Sequence, residues 1–322
     1  MLEQSILLTI GVAFLITVVL SPIFIPFLRR LKFGQSIRDE GPKSHQKKSG
    51  TPTMGGIMIL LSIIVATLIM VNQYAELTYK TFLLLFVTIG FGLLGFLDDF
   101  IKVVLKRNLG LTSKQKFLGQ VVISIIFYFI ARQFEFSTEV TIPGIKDPID
   151  LGWFYVVFLI IWLVGFSNAV NLTDGIDGLV AGLGTISFST YALIAWRQDQ
   201  IDVLIVCLAI IGGLIGFFPY NRKPAKIFMG DVGSLALGGL LAAISILLHQ
   251  EWTLLLVGLV YVCETASVML QVASFKLTGK RIFKMSPIHH HFEMSGWSEW
   301  KIDTVFWCIA LGCSLLTIAL VW

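Results

Sequence analysis

Two adjacent carboxylates, Asp98 and Asp99, directly follow a long apolar run. Acids are costly to place against hydrocarbon, so such a pair favours a function over a plain helix end. Carboxylate oxygens suit Mg²⁺, and a carboxylate can also accept a proton. Lys102 and Lys106 follow Asp98 at spacings of four and eight residues, which places all three on one helix face. The alternative is an interfacial helix end held by ion pairs.

A second polar segment covers residues 168–178. Its amide and carboxylate side chains recur at every third position: Asn168, Asn171, Asp174 and Asp177. On a helix this spacing drifts slowly around one surface, so the four groups can converge on one polar ligand. The segment contains no Lys or Arg to neutralise its acids, which predicts an external partner. The alternative is a joint between two helices with an Asp as N-cap.

A third segment, residues 221–234, brings Asn221, Phe228 and Asp231 to the start of a glycine-rich helix. The N-terminus of a helix offers free N–H groups and a positive dipole end to phosphate. An Asp at that position repels phosphate unless a cation bridges them. Asp231 is therefore predicted to be a Mg²⁺ ligand, with a simple N-cap as the alternative.

Three consecutive histidines, His289, His290 and His291, follow a basic stretch at residues 280–284. They lack the four-residue spacing of a helical zinc pair. The neighbouring basic residues favour contact with a phosphate or another part of a substrate. A structural zinc site and a chance surface cluster are the alternatives.

Lys48 belongs to a basic, glycine-rich loop at residues 47–56. Such a loop could form an entrance that meets phosphate. The alternative is a positively charged flank followed by a turn.

These motifs must be positioned by a strongly apolar chain. Of its 322 residues, 56% are hydrophobic and 14% are charged, and the mean hydropathy is +0.85. Soluble domains contain about 25% charged residues. The composition excludes a soluble enzyme, a disordered protein and a nucleic-acid binder. The apolar runs approach or exceed the ~18–20 residues that span a bilayer, which predicts an all-α integral membrane protein rather than a barrel.

Ten apolar segments are predicted to be transmembrane helices, and they leave only short loops within a single domain, 1–322. Their approximate ranges are 6–28, 54–71, 82–101, 117–131, 153–170, 178–195, 203–219, 232–248, 253–275 and 303–322. Glu264 lies inside the ninth. An acid within a membrane helix suggests a function by default, but a partnered structural Glu is as good an explanation.

The distribution of basic residues predicts the orientation. Of the 24 Lys and Arg residues, only four lie outside the loops that follow odd-numbered segments: Lys80, Arg132, Lys146 and Arg197. Because loops rich in Lys and Arg remain in the cytoplasm, both termini are expected outside. All five polar motifs then face the cytoplasm, where a membrane-borne and a water-soluble substrate could meet.

Together these motifs resemble the polyprenyl-phosphate N-acetylhexosamine-1-phosphate transferases, over essentially the whole chain. The resemblance is carried by Asp98-Asp99, residues 168–178, residues 230–234 and the histidine run. Residues 287–293 are the most specific part, because relatives acting on UDP-GlcNAc share the Asp motifs but have a different final loop. The resemblance implies a Mg²⁺-dependent reaction in the bacterial cytoplasmic membrane. Undecaprenyl phosphate and UDP-MurNAc-pentapeptide would give lipid I and UMP, in the first membrane step of peptidoglycan synthesis.

The resemblance also implies roles for single residues. Asp231 would hold Mg²⁺ with Asp98 or Asp99 nearby, and these three with His290 would form the catalytic group. A nucleotide pocket would be lined by Lys48, Asn171, Asp174, Asp177, Asn221, Phe228 and Gln271, with Phe228 stacked on uracil. Phosphates or the sugar–peptide part would meet Lys102, Lys106 and Lys114. His290 and His291 would contact the diphosphate, and Asn168 and His289 complete the predicted binding residues.

Further implications concern the lipid, the assembly and the chemistry. The lipid tail would lie in an apolar groove beside the ninth helix, and the protein would form a homodimer. Asp98 could deprotonate the lipid phosphate, but a phosphate monoester, with its second pKa near ~6, is already largely dianionic at neutral pH. Direct attack and a covalent aspartyl-phosphate intermediate both remain open.

Three other functions are considered. A sister transferase would use UDP-GlcNAc instead. A secondary transporter would place its polar residues near the middle of the membrane, whereas here they crowd one edge. A purely structural scaffold would not need so many acids at that edge.

Overall fold

The computed structural model describes residues 2–30, 50–104, 110–142, 145 and 147–322, and within them the chain is a helical bundle with one small hairpin. The prediction of an all-α protein is confirmed. The helices are α1 (Leu2–Arg30), α2 (Gly56–Tyr74), α3 (Tyr79–Val104), α4 (Ser113–Gln133), α5 (Tyr155–Thr173), α6 (Leu179–Arg197), α7 (Ile201–Asn221), α8 (Gly230–Leu247), α9 (Thr253–Val257), α10 (Leu259–Thr278), α11 (Ile288–Glu293) and α12 (Glu299–Val321). Strand β1 (Glu139–Val140) pairs antiparallel with β2 (Ile149–Asp150).

Nine helices of the described ranges are long and apolar enough to cross a membrane, so the chain is a multi-pass membrane protein. They are α1–α8 and α12, and each coincides with one of the ten predicted segments. Their ends differ from the predicted limits by up to four residues. Helical hydrogen bonding continues past the apolar core into the polar flanks, which a hydropathy pattern does not register.

The ninth predicted segment, 253–275, is two helices instead of one. Helix α9 ends before Gly258 and α10 begins after it. A Cβ at Gly258 would lie 2.6 Å from the carbonyl oxygen of Leu254 and 3.0 Å from the ring of Phe166, so only glycine fits this close contact. Helix α10 also contains Glu264 and Gln271, which interrupt its apolar character, and it is not among the nine candidate spans.

Helices α7 and α8 form the interior of the bundle, whereas α1 and α12 lie at its periphery. The outer helices expose large apolar side chains, among them Leu7, Leu15 and Ile23 of α1 and Leu311, Leu315 and Leu320 of α12. A surface of this kind is favourable only against lipid.

Small residues let three helices approach closely where the polar motifs meet. A Cβ on Gly95 of α3 would overlap the backbone of Asp231 on α8, and one on Gly56 of α2 would overlap the backbone of Gly233. Backbone hydrogen bonds join the same elements, because the N–H groups of Gly55 and Gly56 donate to the carbonyls of Phe228 and Met229 at 2.9 and 2.8 Å. The start of α8 is therefore fixed against α2 and α3.

The two ends of the bundle differ in character. The site end is formed by the last turns of α3, α5 and α7 and the first turns of α2, α4, α6 and α8. At the opposite end, single polar pairs tie the connections together. Lys80 donates to Gln200 at 2.7 Å, Thr78 donates to Asp202, and the hydroxyl of Tyr155 donates to Glu251 at 3.1 Å.

Candidate active site

Three carboxylates from two helices form an acidic cluster at the site end. Asp98 and Asp99 lie in the last turns of α3 and Asp231 in the first turn of α8, with one oxygen of each within 4.8 Å of the others. Asp98 and Asp99 are buried. Gly230 allows this approach, because its φ of 75° favours glycine and a Cβ there would lie 2.5 Å from Asp99 Oδ2.

Backbone N–H groups fix the first two acids of the cluster. Leu111 donates to Asp98 Oδ1 at 2.8 Å, and Val232 donates to Asp99 Oδ2 at 3.3 Å. The loop before α4 and the first turn of α8 are thus both bound to the end of α3. Asp99 satisfies one of the free N–H groups of the α8 N-terminus.

Two lysines meet the third acid. The Lys102 nitrogen lies 3.1 Å from Asp231 Oδ2 and also contacts Asp98 and, at 4.0 Å, Asp99. The Lys116 nitrogen lies 3.0 Å from the same Asp231 oxygen. Among the described residues, three carboxylates against two ammonium groups leave the ionised cluster with one excess negative charge, which favours a further cation.

Asn171 links α5 to this cluster. Its side-chain nitrogen donates to Asp231 Oδ1 and to Ser234 Oγ, both at 2.8 Å, and its oxygen accepts from Lys116 at 3.3 Å. Asn171, in the last turn of α5, thus bonds directly to the acidic cluster, and convergence of segment 168–178 on one ligand stays a prediction.

Asn168 lies one turn earlier and bonds elsewhere. Its side-chain nitrogen donates to Gln120 Oε1 at 2.9 Å and to the Val164 carbonyl at 2.8 Å. It joins α5 to α4 beneath the acidic cluster. Its role as a binding residue stays a prediction.

The joint between α5 and α6 contains the two acids of the same segment. Asp174 caps α5 and is partly buried, and burial together with the charge of Asp231 raises its pKa to about 7. Asp177 is buried, and its Oδ2 accepts from the Ala225 N–H at 3.0 Å. Asp174 thus faces the cluster, whereas Asp177 holds the connection after α7.

Asn221 and Phe228 lie in that connection. Asn221 accepts from the Gly178 N–H at 3.2 Å and donates to the Ile227 carbonyl at 3.1 Å. The Phe228 N–H donates to the Pro52 carbonyl at 2.8 Å, and its side chain is partly buried. Asn221 is therefore used to shape the loop that presents Phe228 beside α2.

The histidine run forms the short helix α11. His290 Nδ1 lies 2.6 Å from Glu293 Oε2, and His291 Nδ1 accepts from the Lys284 N–H at 3.2 Å. His289 is fully buried and its ring lies against Gly175 of the α5–α6 joint. The run is thereby anchored to the joint that also contains Asp174.

Gln271 of α10 holds the loop before α11. Its oxygen accepts from the N–H groups of Ile282 and Phe283, both at 2.9 Å, and its nitrogen donates to the Phe283 carbonyl at 2.9 Å. All three contacts are with backbone, so Gln271 orders the loop that leads to the histidines.

Sequence reasoning missed Lys116, which no motif singled out. The residue predicted instead, Lys114, has an exposed side chain in the first turn of α4. Residues i and i+2 of a helix lie about 200° apart around its axis, so only one of Lys114 and Lys116 can face α8. The sequence alone contains no signal for Lys116, because the rotation of α4 that turns it toward α8 is set by packing, with Gln120, four residues later, buried against α5. Lys48 and Lys106 lie outside the described residues and stay predictions.

The donor set of the acidic cluster fits a hard divalent cation. Its ligands would be carboxylate oxygens, which Mg²⁺ prefers, with the Asn171 side chain adjacent. Nitrogen and sulfur ligands of the kind that select zinc are absent from this cluster of described residues.

Comparison with known proteins identifies the group to which this sequence is similar. Residues 81–249 match the glycosyl transferase family 4, and residues 48–60 match signature 1 of phospho-N-acetylmuramoyl-pentapeptide-transferase. The chain is 64% identical to the phospho-N-acetylmuramoyl-pentapeptide-transferase of Enterococcus faecalis, over 98% of both chains. The proteins of the same name from Geobacillus thermodenitrificans and Bacillus subtilis are 61% and 59% identical, over at least 98% of each chain.

Proposed function

This chain belongs to the phospho-N-acetylmuramoyl-pentapeptide-transferases of glycosyl transferase family 4, and on that premise we propose its reaction. It transfers phospho-MurNAc-pentapeptide from UDP-MurNAc-pentapeptide to undecaprenyl phosphate, giving lipid I and UMP. The observation that best supports this reaction is the sequence identity of 59–64% between this chain and relatives whose names state this activity, over nearly their full length. The cluster of acids and lysines at one end of a membrane bundle is the chemistry that such a transfer needs.

The reaction exchanges one phosphoanhydride bond for another. An oxygen of the lipid phosphate attacks the phosphorus that bears the sugar, and the bond from that phosphorus to UMP breaks. Catalysis of phosphoryl transfer is mostly positioning and charge neutralisation. Lys102 and Lys116, which already meet at Asp231, are placed to donate to the diphosphate and to the departing UMP phosphate.

Asp231, Asp98 and Asp99 are the residues that would hold Mg²⁺. When bound, the ion would neutralise the diphosphate charge that the acids alone would repel. Asn171 orients Asp231 through its 2.8 Å hydrogen bond, and Ser234 holds Asn171 in turn. Lys102 and Lys116, now paired with Asp231, would be free to donate to phosphate oxygens once a bound cation took over the charge of that carboxylate.

Asp98 has a supporting role in this proposal. One of its oxygens accepts from the Leu111 N–H and the other contacts Lys102. A carboxylate engaged on both oxygens is poorly placed to attack phosphorus, and a largely dianionic lipid phosphate needs little help from a base. These contacts favour direct attack by the lipid phosphate over a covalent aspartyl-phosphate intermediate.

The nucleotide would enter beside the α5–α6 joint. Phe228 is held there on a loop fixed by Asn221 and Pro52, which supports stacking of its ring on uracil. His290 and His291 would approach the diphosphate from the α11 side. The site end would face the cytoplasm of the bacterium, where the basic loops are expected to lie.

The lipid tail would lie along α10. This helix exposes Met269, Leu270, Phe275 and Leu277, an apolar surface suited to an isoprenoid chain. The expected homodimer stays a prediction, which cross-linking in native membranes would test.

UMP release by the purified protein in detergent tests the reaction. The assay contains Mg²⁺, undecaprenyl phosphate and either UDP-MurNAc-pentapeptide or UDP-GlcNAc. Release with the muramoyl nucleotide alone, stopped by EDTA, is expected. Release with UDP-GlcNAc alone would move the chain to the sister transferases, and the absence of release with both would refute the proposal.

A further inference from the structure

A buried carboxylate on α10 has no role in the reaction described so far. Glu264 is completely buried, and its Oε1 lies 3.0 Å from Nδ1 of His289. Its Oε2 accepts from the His289 backbone N–H at 3.5 Å. A buried acid is costly without partners. The 3.0 Å contact is an ion-pair distance without hydrogen-bond alignment, and the backbone N–H of the same histidine is the hydrogen-bond donor to Glu264.

The opposite side of the same imidazole faces the α5–α6 joint. A Cβ on Gly175 would overlap Nε2 of His289, so ring and backbone are in close contact. Gly175 directly follows Asp174, whose carboxylate faces the acidic cluster. His289 is thus held between Glu264 on α10 and the joint that borders the site.

The ring of His289 also contacts the next histidine. The ring centroids of His289 and His290 are 4.1 Å apart in an edge-to-face arrangement. His290 is held on its other side by Glu293. A rotation of the His289 ring would therefore displace His290.

Helix α10 holds this whole segment at two points. Gln271 lies seven residues after Glu264, which places both on one helix face. Gln271 binds the backbone at residues 282–283, and Glu264 binds His289. The loop and α11 between these points are fixed relative to α10.

We propose that Glu264 is a positioning residue for transfer. This inference rests on the proposed function. Glu264 fixes the ring of His289 and thereby positions His290 and His291 against the diphosphate. The partner of one imidazole nitrogen determines the orientation and the tautomer of the ring. Without the carboxylate, the ring and the helix that carries it lose their register with the joint.

Three substitutions of Glu264 test this role. Glu264→Leu removes the acceptor, Glu264→Asp retracts it from His289, and Glu264→Gln keeps one acceptor oxygen at the same reach. We expect the Leu and Asp variants to lower kcat by about 10- to 100-fold with KM for UDP-MurNAc-pentapeptide unchanged. Glu264→Gln is expected to restore most of the turnover. UMP release and the thermal unfolding midpoint are measured for each variant.

Glu251 provides the matched control, because it is an equally buried glutamate at the opposite end of the bundle. Glu251→Leu and Glu251→Asp are expected to lower stability and leave kcat unchanged. Equal loss of kcat in both series, a change in KM alone, or failure of Glu264→Gln to recover would overturn the positioning role. If Glu264→Leu does not fold, the Glu264→Asp variant decides alone, and wild-type kcat in that variant would also overturn the positioning role. Inactive wild-type protein would instead refute the transferase assignment itself.

Discussion

The ammonium nitrogen of Lys116 lies 3.0 Å from Asp231 Oδ2, although the two residues are 115 positions apart in the chain. Lys102 lies 3.1 Å from the same oxygen. Two cations sharing one carboxylate oxygen take the place that a divalent ion would need. Under the proposed function, Mg²⁺ and substrate would have to displace these lysines from Asp231, and on this basis we predict that Lys116 acts in the site.

Lys116→Gln is expected to lower UMP release by on the order of 100-fold, because one donor to the developing phosphate charge is lost. Lys114→Gln is expected to cost less, since its side chain is exposed. Lys80→Gln, which removes a lysine at the opposite end, is the control and should retain turnover. A larger loss at Lys114 than at Lys116 would mean that α4 is rotated when substrate is bound.

Asp98→Asn, Asp99→Asn and Asp231→Asn are each expected to lower turnover by roughly 100-fold or more, since each removes a charged oxygen from the cation site. Asp231→Asn should also raise the Mg²⁺ concentration needed for half-maximal release. Asp202→Asn is the control, a buried Asp bonded to Thr78 at the opposite end. Wild-type turnover in all three site variants would contradict the assignment of the cluster.

Much of this arrangement could be predicted from the sequence. Long apolar runs predict helices because a bilayer demands internally satisfied backbone. Nine of the ten segments each coincide with one candidate membrane helix, and the remaining segment forms the two helices α9 and α10. The predicted acids Asp98, Asp99 and Asp231 come together because each ends or begins a helix at the same end of the bundle. The meeting of the three acids could therefore be predicted from their residue type and from their positions at the ends of apolar segments.

What could not be predicted depends on contacts between distant segments. The chain breaks between α9 and α10 at Gly258, where a Cβ would meet Phe166 of α5, and an apolar pattern over 253–275 contains no information on that contact. The choice of Lys116 over Lys114 depends on the rotation of α4 about its own axis. Asp177 accepts from the backbone N–H of Ala225, and Asn221 donates to the backbone carbonyl of Ile227. Both hydrogen bonds depend on the conformation of the loop after α7, which the sequence pattern does not give.

The raised pKa of Asp174, about 7, predicts a pH dependence of stability. In the unfolded chain this carboxyl has its ordinary pKa near ~3.9, so the folded state holds the proton more tightly. The stabilising contribution is complete below pH ~4 and is lost as the pH rises through about 7. Asp174→Asn removes this dependence.

Thermal unfolding of wild-type protein and Asp174→Asn in EDTA therefore tests the environment of Asp174. The midpoint of the variant should rise relative to wild type between pH 5 and pH 8. Asp199→Asn, a change at an exposed turn, should give a difference that does not vary with pH. A constant difference for Asp174→Asn as well would show that this carboxyl is ionised throughout the range.

Gly95→Ala tests whether close packing of α3 on α8 sets the geometry of the acidic cluster. The added methyl group would overlap the Asp231 backbone, so the helices must separate. A displacement of about 1 Å at a reacting centre costs on the order of 100-fold in rate, and we expect a loss of that size in kcat. Gly165→Ala on α5 is the matched control, because a Cβ there has no neighbour within 4 Å among the described residues. Wild-type kcat in Gly95→Ala would mean that the cluster tolerates a shift of α8, and the lysines rather than the helix backbones would then have to hold Asp231 in place.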